Sequence, residues 1–581
     1  MHSLRYLLFL LFIAVSASAQ YDDHRMLPGE KNLVPAYMQS RAASAVSPQS
    51  VTPPYTQVRT IAEWEEIQGM LVGWTSYTGM VREIIRAGRE ETTVYVLCSN
   101  PSTVYNSLLS NNIDTSNVVC LTTPFNSVWS RDYGPWSAYT DEVDTLITID
   151  WIYNRPRPND DLVPVAISNL INTPLYQTTT APWNLVHTGG NFMTDGAGTG
   201  FSSVLVDTEN SIAGGFGINH TPGRIDTIMN AFMGIQRYIK MSALPYDVIH
   251  HIDMHMKLLD EETILVGQYP AGIADGPQIE ANIQYILSNY PSCYGSPYKI
   301  VRIPMPADNG LYPNNGGDYF TYTNSTFINK TIIVPTYGIA ADTTALRIYR
   351  EALPGYKVVG INSTASIGAL GALHCITKEI GTSDPLLIQH QPLQDNTDTV
   401  NDYIVNAYVR HRSGLQNVNL YWTTDTAQGY SIIPMITNGG AVWNESIPAQ
   451  PVGTPSYYYI EAISNSGQTQ KRPMTAPDGF WKFRITGATS VQDIAFEDQI
   501  KPVYPNPGKG ITCIPLQLKN SGMIKAELVD AAGRKVMDIY NGYKSAGEQN
   551  LFMNTEILGA GVYRVIVRTE SGIMNQAIGV K

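Results

Sequence analysis

The chain has 581 residues, 43% hydrophobic and 15% charged, with 50 acidic side chains against 38 Lys and Arg and a formal net charge of −12. That length exceeds what one hydrophobic core serves, so roughly three or four domains are expected. The acidic balance disfavours a nucleic-acid partner, which needs clustered Lys and Arg, and favours cationic ones.

The chain opens with His2 and Arg5, an apolar stretch over 7–15 and the small residues Ala17-Ser-Ala19. This is the layout of a secretory signal peptide over 1–19, too short to span a bilayer as a retained helix. No later stretch approaches transmembrane length, so no transmembrane segment is expected after signal removal. Residues 20–54, rich in Ser, Ala, Pro and Gln without steady periodicity, read as an extended leader or propeptide.

Over 55–390 short apolar strands are predicted at 70–74, 94–98, 203–206, 263–266, 331–335 and 357–360, with helices at 80–89, 225–238 and 340–352. This is a mixed α/β domain of repeated strand-helix units. Over 391–484 helices give way to strands at 403–409, 418–422, 457–460 and 481–483, with a turn signal at Thr437-Asn-Gly-Gly440. That pattern predicts an Ig-like β-sandwich, and a second all-β segment follows over 485–581.

Five cysteines are scattered along the chain: Cys98, Cys120, Cys293, Cys375 and Cys513. The odd count leaves at least one thiol unpaired, and no Cys-x-x-Cys pair offers a zinc or redox motif. Whether Cys98 bridges Cys120 stays open.

Chemistry concentrates in three places. Cys375 follows a Gly- and Ala-rich run, Gly368-Ala-Leu-Gly-Ala-Leu-His-Cys375, which lets backbone approach a ligand closely. Upstream lie Trp129-Ser-Arg-Asp132-Tyr-Gly-Pro-Trp136 and His250-His251-Ile-Asp253. A thiol with a histidine and two carboxylates suits a cationic electrophile, and two tryptophans can wall a cation site. Bland readings stand beside these: an inert buried Cys375, an Asp132 in a turn made by Gly134-Pro135, a tight turn at Gly189-Gly190, and a chance sequon at Asn324-Ser-Thr. A metal cluster at His250 to His255 is disfavoured, because on a strand His251, Asp253 and His255 share one face while His250 points away, and no His-Glu-x-x-His pattern is present. Arg155 and Arg157, two apart on a proline-held extended segment, can point the same way or form a solvated turn neutralised by Asp160-Asp161.

Taken in order, Trp129 to Asp132, Tyr153-Asn-Arg155-Pro-Arg157, His187-Thr-Gly-Gly-Asn191, His251-Ile-Asp253, Tyr322-Thr-Asn324-Ser325 and Cys375 resemble the guanidine-modifying deiminases. Over 63–390 the chain is most similar to secreted bacterial peptidylarginine deiminases, with agmatine deiminases as near relatives. The resemblance implies a five-bladed α/β-propeller (pentein) with Cys375 as nucleophile and His251 as general acid/base. It implies guanidinium-binding carboxylates at Asp132 and Asp253, with Asn324 completing the site. No metal or organic cofactor is implied. It also implies that Arg155 and Arg157 grip the carboxylate of a C-terminal arginine, so arginine-containing peptides or proteins are the expected substrates. The family's tyrosine shortly before the catalytic histidine has Tyr246 as its nearest counterpart here.

The expected reaction converts arginine to citrulline and ammonia through a Cys-thiouronium intermediate. Secreted agmatine or free-arginine deiminase is the alternative within enzymes, and a surface adhesin with an inactive enzyme fold, using Tyr457-Tyr-Tyr459, is the alternative outside them. Paired carboxylates suit a cation better than an amide, which disfavours a cysteine protease. The tail resembles the C-terminal sorting domain of type IX secretion cargo through Tyr504-Pro-Asn-Pro507, Gly561-Val-Tyr563 and Val580-Lys581. That implies the type IX machinery as a partner and a location outside, or on the outer surface of, a Gram-negative cell.

Overall fold

The computed structural model describes residues 23–47, 49–486, 498–504, 506–508, 511–569 and 571–581. The expected signal peptide at 1–19 lies outside the described residues. Among the described residues no helix is long and apolar enough to cross a membrane.

One local pattern repeats through the larger domain: an antiparallel strand pair, a crossover helix, and a third strand parallel to the second. Parallel neighbours need such a crossover, because a tight turn cannot reverse direction twice. Strands Trp136–Thr140 and Leu146–Tyr153 are followed by helix Val163–Ile171 and strand Leu175–Thr178. The same order recurs from Met193–Thr194 to Arg237–Met241, from Met256–Leu258 to Lys299–Pro304, and from Thr326–Ile328 to Lys357–Asn362. In the remaining unit the first strand comes from the far end: Thr377–Gly381 pairs antiparallel with Ile67–Gly73, which then runs through helix Thr78–Gly88 to the parallel strand Thr93–Leu97. These sheets are separate, and none closes on itself among the described residues.

Helix Thr78–Gly88 shows why the units pack. Its Met80, Val81, Ile84 and Ile85 share one helical face and are all buried against the sheet. Removing each such side chain from water contributes about 1.5–3 kcal/mol. Helix Ala340–Ala352 matches its predicted span. Two predictions shift. The run at 203–206 is not a strand: Thr199–Ser203 is the strand, and Leu205–Glu209 is a short helix, an ambiguity inherent to brief apolar runs. The helix predicted over 225–238 ends at Met233, where Gly234 turns left-handed (φ +69°) and caps it, and Arg237–Met241 becomes a strand.

The expected extended leader is also corrected. It contains a helix, Val34–Ala43, with Pro35 in its first turn. Val34 and Tyr37 pack against Ile152, Val186, Phe216 and Ile218, and buried Arg41 pairs with Asp150 at 3.0 Å and Asp161 at 3.3 Å.

Beyond Gly381, strands Leu387–Gln389, Tyr403–Arg410 and Val442–Ile447 form one sheet, and Leu415–Thr423 and Pro455–Ser464 lead another. Leu387–Gln389 falls on the catalytic side of the expected boundary at 390, yet it pairs with Tyr403–Arg410. Val405, Val409, Leu420, Ile460 and Phe483 from both sheets share one core, as alternating burial along Tyr403–Arg410 requires. A further pair of sheets spans 499–580 around Ile514, Leu516, Leu528, Val565 and Val567.

The repeat positions the chemistry. Ser130–Tyr133, Gly189–Asn191, Ile252–Met254 and His374–Ile376 are single helical turns immediately before the first strand of their units, and Asn324 holds the same place before Thr326–Ile328. Residues far apart in sequence therefore reach one place from five equivalent points.

Candidate active site

Cys375 is fully buried in the turn His374–Ile376. Asn324 holds this turn: its Oδ1 accepts from the backbone N–H of Ala372 (3.1 Å), His374 (3.0 Å) and Cys375 (3.4 Å), and its Nδ2 lies 3.1 Å from Cys375 Sγ. The glycine-rich run has a steric cause. A Cβ at Gly371 would stand 2.4 Å from Trp129 and 3.1 Å from the Cys375 Cβ. Asn324 is itself fully buried, so its sequon is no glycosylation site in the folded chain.

Asp253 Oδ2 is 3.5 Å from Cys375 Sγ and accepts from His374 Nδ1 at 2.7 Å. Burial pushes the Cys375 thiol well above its ordinary pKa, and the charges of Asp253 and Asp132 add to this, while Asn324 opposes it. Burial, the largest single influence, raises the Asp253 carboxyl too, but the His374 hydrogen bond together with the charges of His374 and His251 holds it below the usual range. The site as it stands is a neutral thiol beside carboxylates, a charge pattern that a bound cation would relieve.

His251 Nδ1 is 3.7 Å from Asp132 Oδ1, and its Nε2 is 3.3 Å from Thr188 Oγ1. Burial lowers its pKa to about 4, against the pull of Asp132. Burial alone would raise the Asp132 carboxyl; His24, His251 and the Gly190 N–H (3.1 Å) hold it low instead. Gly189-Gly190 is more than a turn: a Cβ at Gly189 would meet the Arg131 carbonyl at 1.9 Å, and one at Gly190 would meet His251 Nδ1 at 2.4 Å.

The structure thus brings Cys375, Asn324, Asp253, His251, Asp132 and Trp129 together. It overturns the single-strand arrangement of 250–255, because His250 is left-handed (φ +57°) and Ile252–Met254 is a 3₁₀ turn. His255 is buried, with neither ring nitrogen partnered, apart from the site's hydrogen bonds. Tyr246 is 47% exposed, with its backbone N–H held by Asp275.

Several participants were not foreseen. His374 bridges Asp253 to Glu63 (Nε2 to Oε1, 2.8 Å), and Glu63 pairs with buried Lys257 at 2.6 Å. Beneath them Arg131 pairs with Glu379 at 2.7 Å, and Lys378, its pKa lowered to about 7 by burial, stands 3.2 Å over the Trp136 ring. Most unexpected is His24 of the leader. It is fully buried, stacked flat on Trp129 (4.1 Å, 3°), edge-on to His251 (4.9 Å), and hydrogen-bonded to Asp132 and to the Leu370 carbonyl (2.9 Å).

Arg155 and Arg157 face this same segment. Arg155 Nε donates to the His24 carbonyl at 3.1 Å, and Arg157 reaches the Asp23 and Arg25 carbonyls at 3.0 and 3.2 Å and the Glu30 carboxylate at 2.9 Å. The alternative of a solvated basic turn is excluded by their burial. Among the described residues, one group of potential metal ligands converges, His24 with Asp132 and His251. One of its three ligands belongs to the leader and is already bonded to Asp132 directly.

Residues 59–380, more than half of the chain, match the Porphyromonas-type peptidyl-arginine deiminase family. Residues 502–581 match a secretion system C-terminal sorting domain, which marks the chain for type IX export to the cell surface or beyond. A protein named as an agmatine deiminase from Vibrio parahaemolyticus is 25% identical over 301 residues, 46% of this chain and 78% of that protein. Another from Legionella pneumophila is 24% identical over 272 residues, 45% of this chain and 75% of that protein. At the level of fold, a crystal structure named as an agmatine deiminase superposes with a TM-score of 0.50 at 20% identity, covering 57% of this chain and 98% of that one. With its buried thiol, paired carboxylates and histidine assembled from three of the five repeat positions, the chain belongs to the Porphyromonas-type peptidyl-arginine deiminase family, among the arginine and agmatine deiminases that hydrolyse C–N bonds of guanidines.

Proposed function

We propose that this protein hydrolyses the guanidinium of peptide arginine, preferably at a free C-terminus, to citrulline and ammonia. The observation that carries this reading is one buried cluster in which Cys375 Sγ lies 3.5 Å from Asp253 while Asp132 and His251 face each other at 3.7 Å. A guanidinium is planar, always charged and rich in N–H donors, so Asp132 and Asp253 orient it bidentately while Trp129 covers its face. The cation offsets the charges that keep the Cys375 thiol protonated.

The thiol proton passes to His251 as Sγ adds to the guanidinium carbon. His251 then protonates the departing nitrogen, the C–N bond breaks, and ammonia leaves a thiouronium on Cys375. His251 next takes a proton from water, whose oxygen adds to the same carbon. Sγ is expelled with the electrons of its C–S bond and takes the proton back from His251, and the protonated ureido group that remains gives its extra proton to solvent, which restores thiol and imidazole. Asn324 steadies the sulfur through Nδ2. Every step uses side chains of the chain itself.

Arg155 and Arg157 support the peptide substrate, since two buried guanidiniums two residues apart suit a carboxylate and main-chain carbonyls. Agmatine has no carboxylate. The names of the relatives favour agmatine as the second reading. The five repeat units support a five-bladed propeller, and the paired sheets at 387–484 and 499–580 support two β-sandwich domains, the first Ig-like. The sorting domain supports an N-terminal signal peptide for the first membrane crossing.

Ammonia and citrulline release from an arginine-ending peptide, its C-terminal amide and agmatine tests the reading, with Cys375→Ala as control. Turnover confined to the free carboxylate supports it, turnover of agmatine alone moves the substrate, and turnover by Cys375→Ala rejects the nucleophile.

A further inference from the structure

We infer that residues 23–43 are an intramolecular inhibitor: they lie in the substrate cleft as a bound peptide, with His24 in the seat of the substrate guanidinium, and keep the full chain latent until they are removed. The inference rests on the assignment of the Cys375 cluster as the active site.

Three independent features carry it. The first is the fit of His24. Its two ring nitrogens lie against two oxygens on opposite sides of the seat, Asp132 Oδ2 and the Leu370 carbonyl, the same kind of oxygen pair that the N–H groups of a planar guanidinium would meet. It lies flat on Trp129 at 4.1 Å. A planar nitrogen-bearing ring stacked on Trp129 and hydrogen-bonded to Asp132 occupies the place and makes the contacts that the site needs from a guanidinium.

The second is the main chain. The carbonyls of Asp23, His24 and Arg25 accept hydrogen bonds from Arg157 and Arg155, and the Glu30 carboxylate pairs with Arg157. The groups suited to a peptide's carbonyls and carboxylate are thus already satisfied by the leader.

The third is anchorage away from the seat. Helix Val34–Ala43 buries Val34 and Tyr37 on the domain, Arg41 pairs with Asp150 and Asp161, and the Tyr37 hydroxyl hydrogen-bonds Asp161. The helix tethers the tip, so the tip faces the cleft at high effective concentration and outcompetes free substrate. If the leader leaves the cleft open about 1% of the time, apparent substrate affinity falls on the order of a hundredfold. Beyond the helix the chain reaches Tyr55, which is 97% exposed and offers a protease an entry point.

The test uses the full chain, the chain cut beside Tyr55 with chymotrypsin and freed of its leader, and full-length His24→Ala and Glu30→Gln. Two readouts are followed: ammonia from an arginine-ending peptide, and the rate of iodoacetamide alkylation at Cys375, read by mass spectrometry with exposed Cys293 as internal reference. Leader removal is expected to raise both on the order of a hundredfold. His24→Ala is expected to raise alkylation at least tenfold in the uncut chain, and synthetic peptide 23–43 to suppress both readouts in the trimmed enzyme. Equal Cys375 alkylation and equal turnover in cut and uncut chains would overturn the inference. Faster alkylation after cutting, with ammonia released by neither form, supports the closed cleft and overturns the deiminase reading instead.

Discussion

Asn324 Nδ2 stands 3.1 Å from Cys375 Sγ while the same side chain accepts from the backbone N–H of Ala372 and His374. One residue therefore sets both the position of the Cys375 thiol, the proposed nucleophile, and part of its electrostatics. Asn324→Asp separates the two. The carboxylate still accepts the backbone N–H groups, so the loop keeps its shape, but the donor to sulfur is replaced by a negative charge beside Asp253. In the leader-free enzyme kcat/KM is expected to fall about a hundredfold or more, comparable to losing one preorganised donor. The pH profile of Cys375 alkylation should move upward with little change in Tm. Alkylation at the wild-type rate and pH would reject this role.

On the proposed reading, His374 acts on the reaction through Asp253, to which it is hydrogen-bonded. Burial, the largest influence, raises the Asp253 carboxyl; the His374 hydrogen bond and charge lead the opposing influences, which with His251 bring it below its ordinary pKa, and Glu63 holds the other ring nitrogen. Removing the imidazole in His374→Gln raises the Asp253 pKa. Ionised Asp253 is then lost at a higher pH as acid is added, so the acid limb of kcat/KM moves up. Glu63→Gln moves it the same way by less. A purely structural role would lower Tm in both variants and leave the limb where it was.

Gly190 is a site residue without a functional group. Its missing Cβ leaves the space in which His251 Nδ1 sits, 2.4 Å from where that carbon would be, and its N–H holds Asp132. Gly190→Ala is expected to cost about 1–3 kcal/mol of stability through overpacking. Activity should fall much further, because His251 must rotate or shift. Circular dichroism and melting beside ammonia release check this; full activity with normal stability would show the histidine free to move.

What the sequence made legible follows from where chemistry is local. Cys375, His251, Asp132, Asp253 and Asn324 stand in compact clusters whose residue types announce a cation site, and the repeat brings them to equivalent positions. His24 was not legible: it sits among charged residues in a segment without periodicity, and only a partner more than a hundred residues away makes it buried. Glu63 reads as one of several solvated acids, yet it faces His374 across 311 positions of sequence. The runs at 203–206 and 225–238 misled because burial and a left-handed Gly234, not local propensity, decide where those elements stop.

On the proposed reading, the arginine pair selects the substrate. Arg155 and Arg157 are buried, two apart, and hold three carbonyls and a carboxylate of the leader; in its absence the same donors meet whatever peptide end lies in the cleft. A charge-assisted hydrogen bond contributes about 1.5–3 kcal/mol, so losing both side chains should lower kcat/KM for an arginine-ending peptide by roughly a hundredfold or more. The loss should appear mostly as a higher KM, because these groups touch the substrate far from the carbon that reacts. Agmatine, which has no carboxylate, should be turned over by Arg155→Ala/Arg157→Ala no worse than by the parent enzyme. Leader-free protein is the form to assay, since in the full chain the same double substitution also loosens residues 23–30. Equal losses on both substrates would mean that the pair shapes the site and reads no carboxylate.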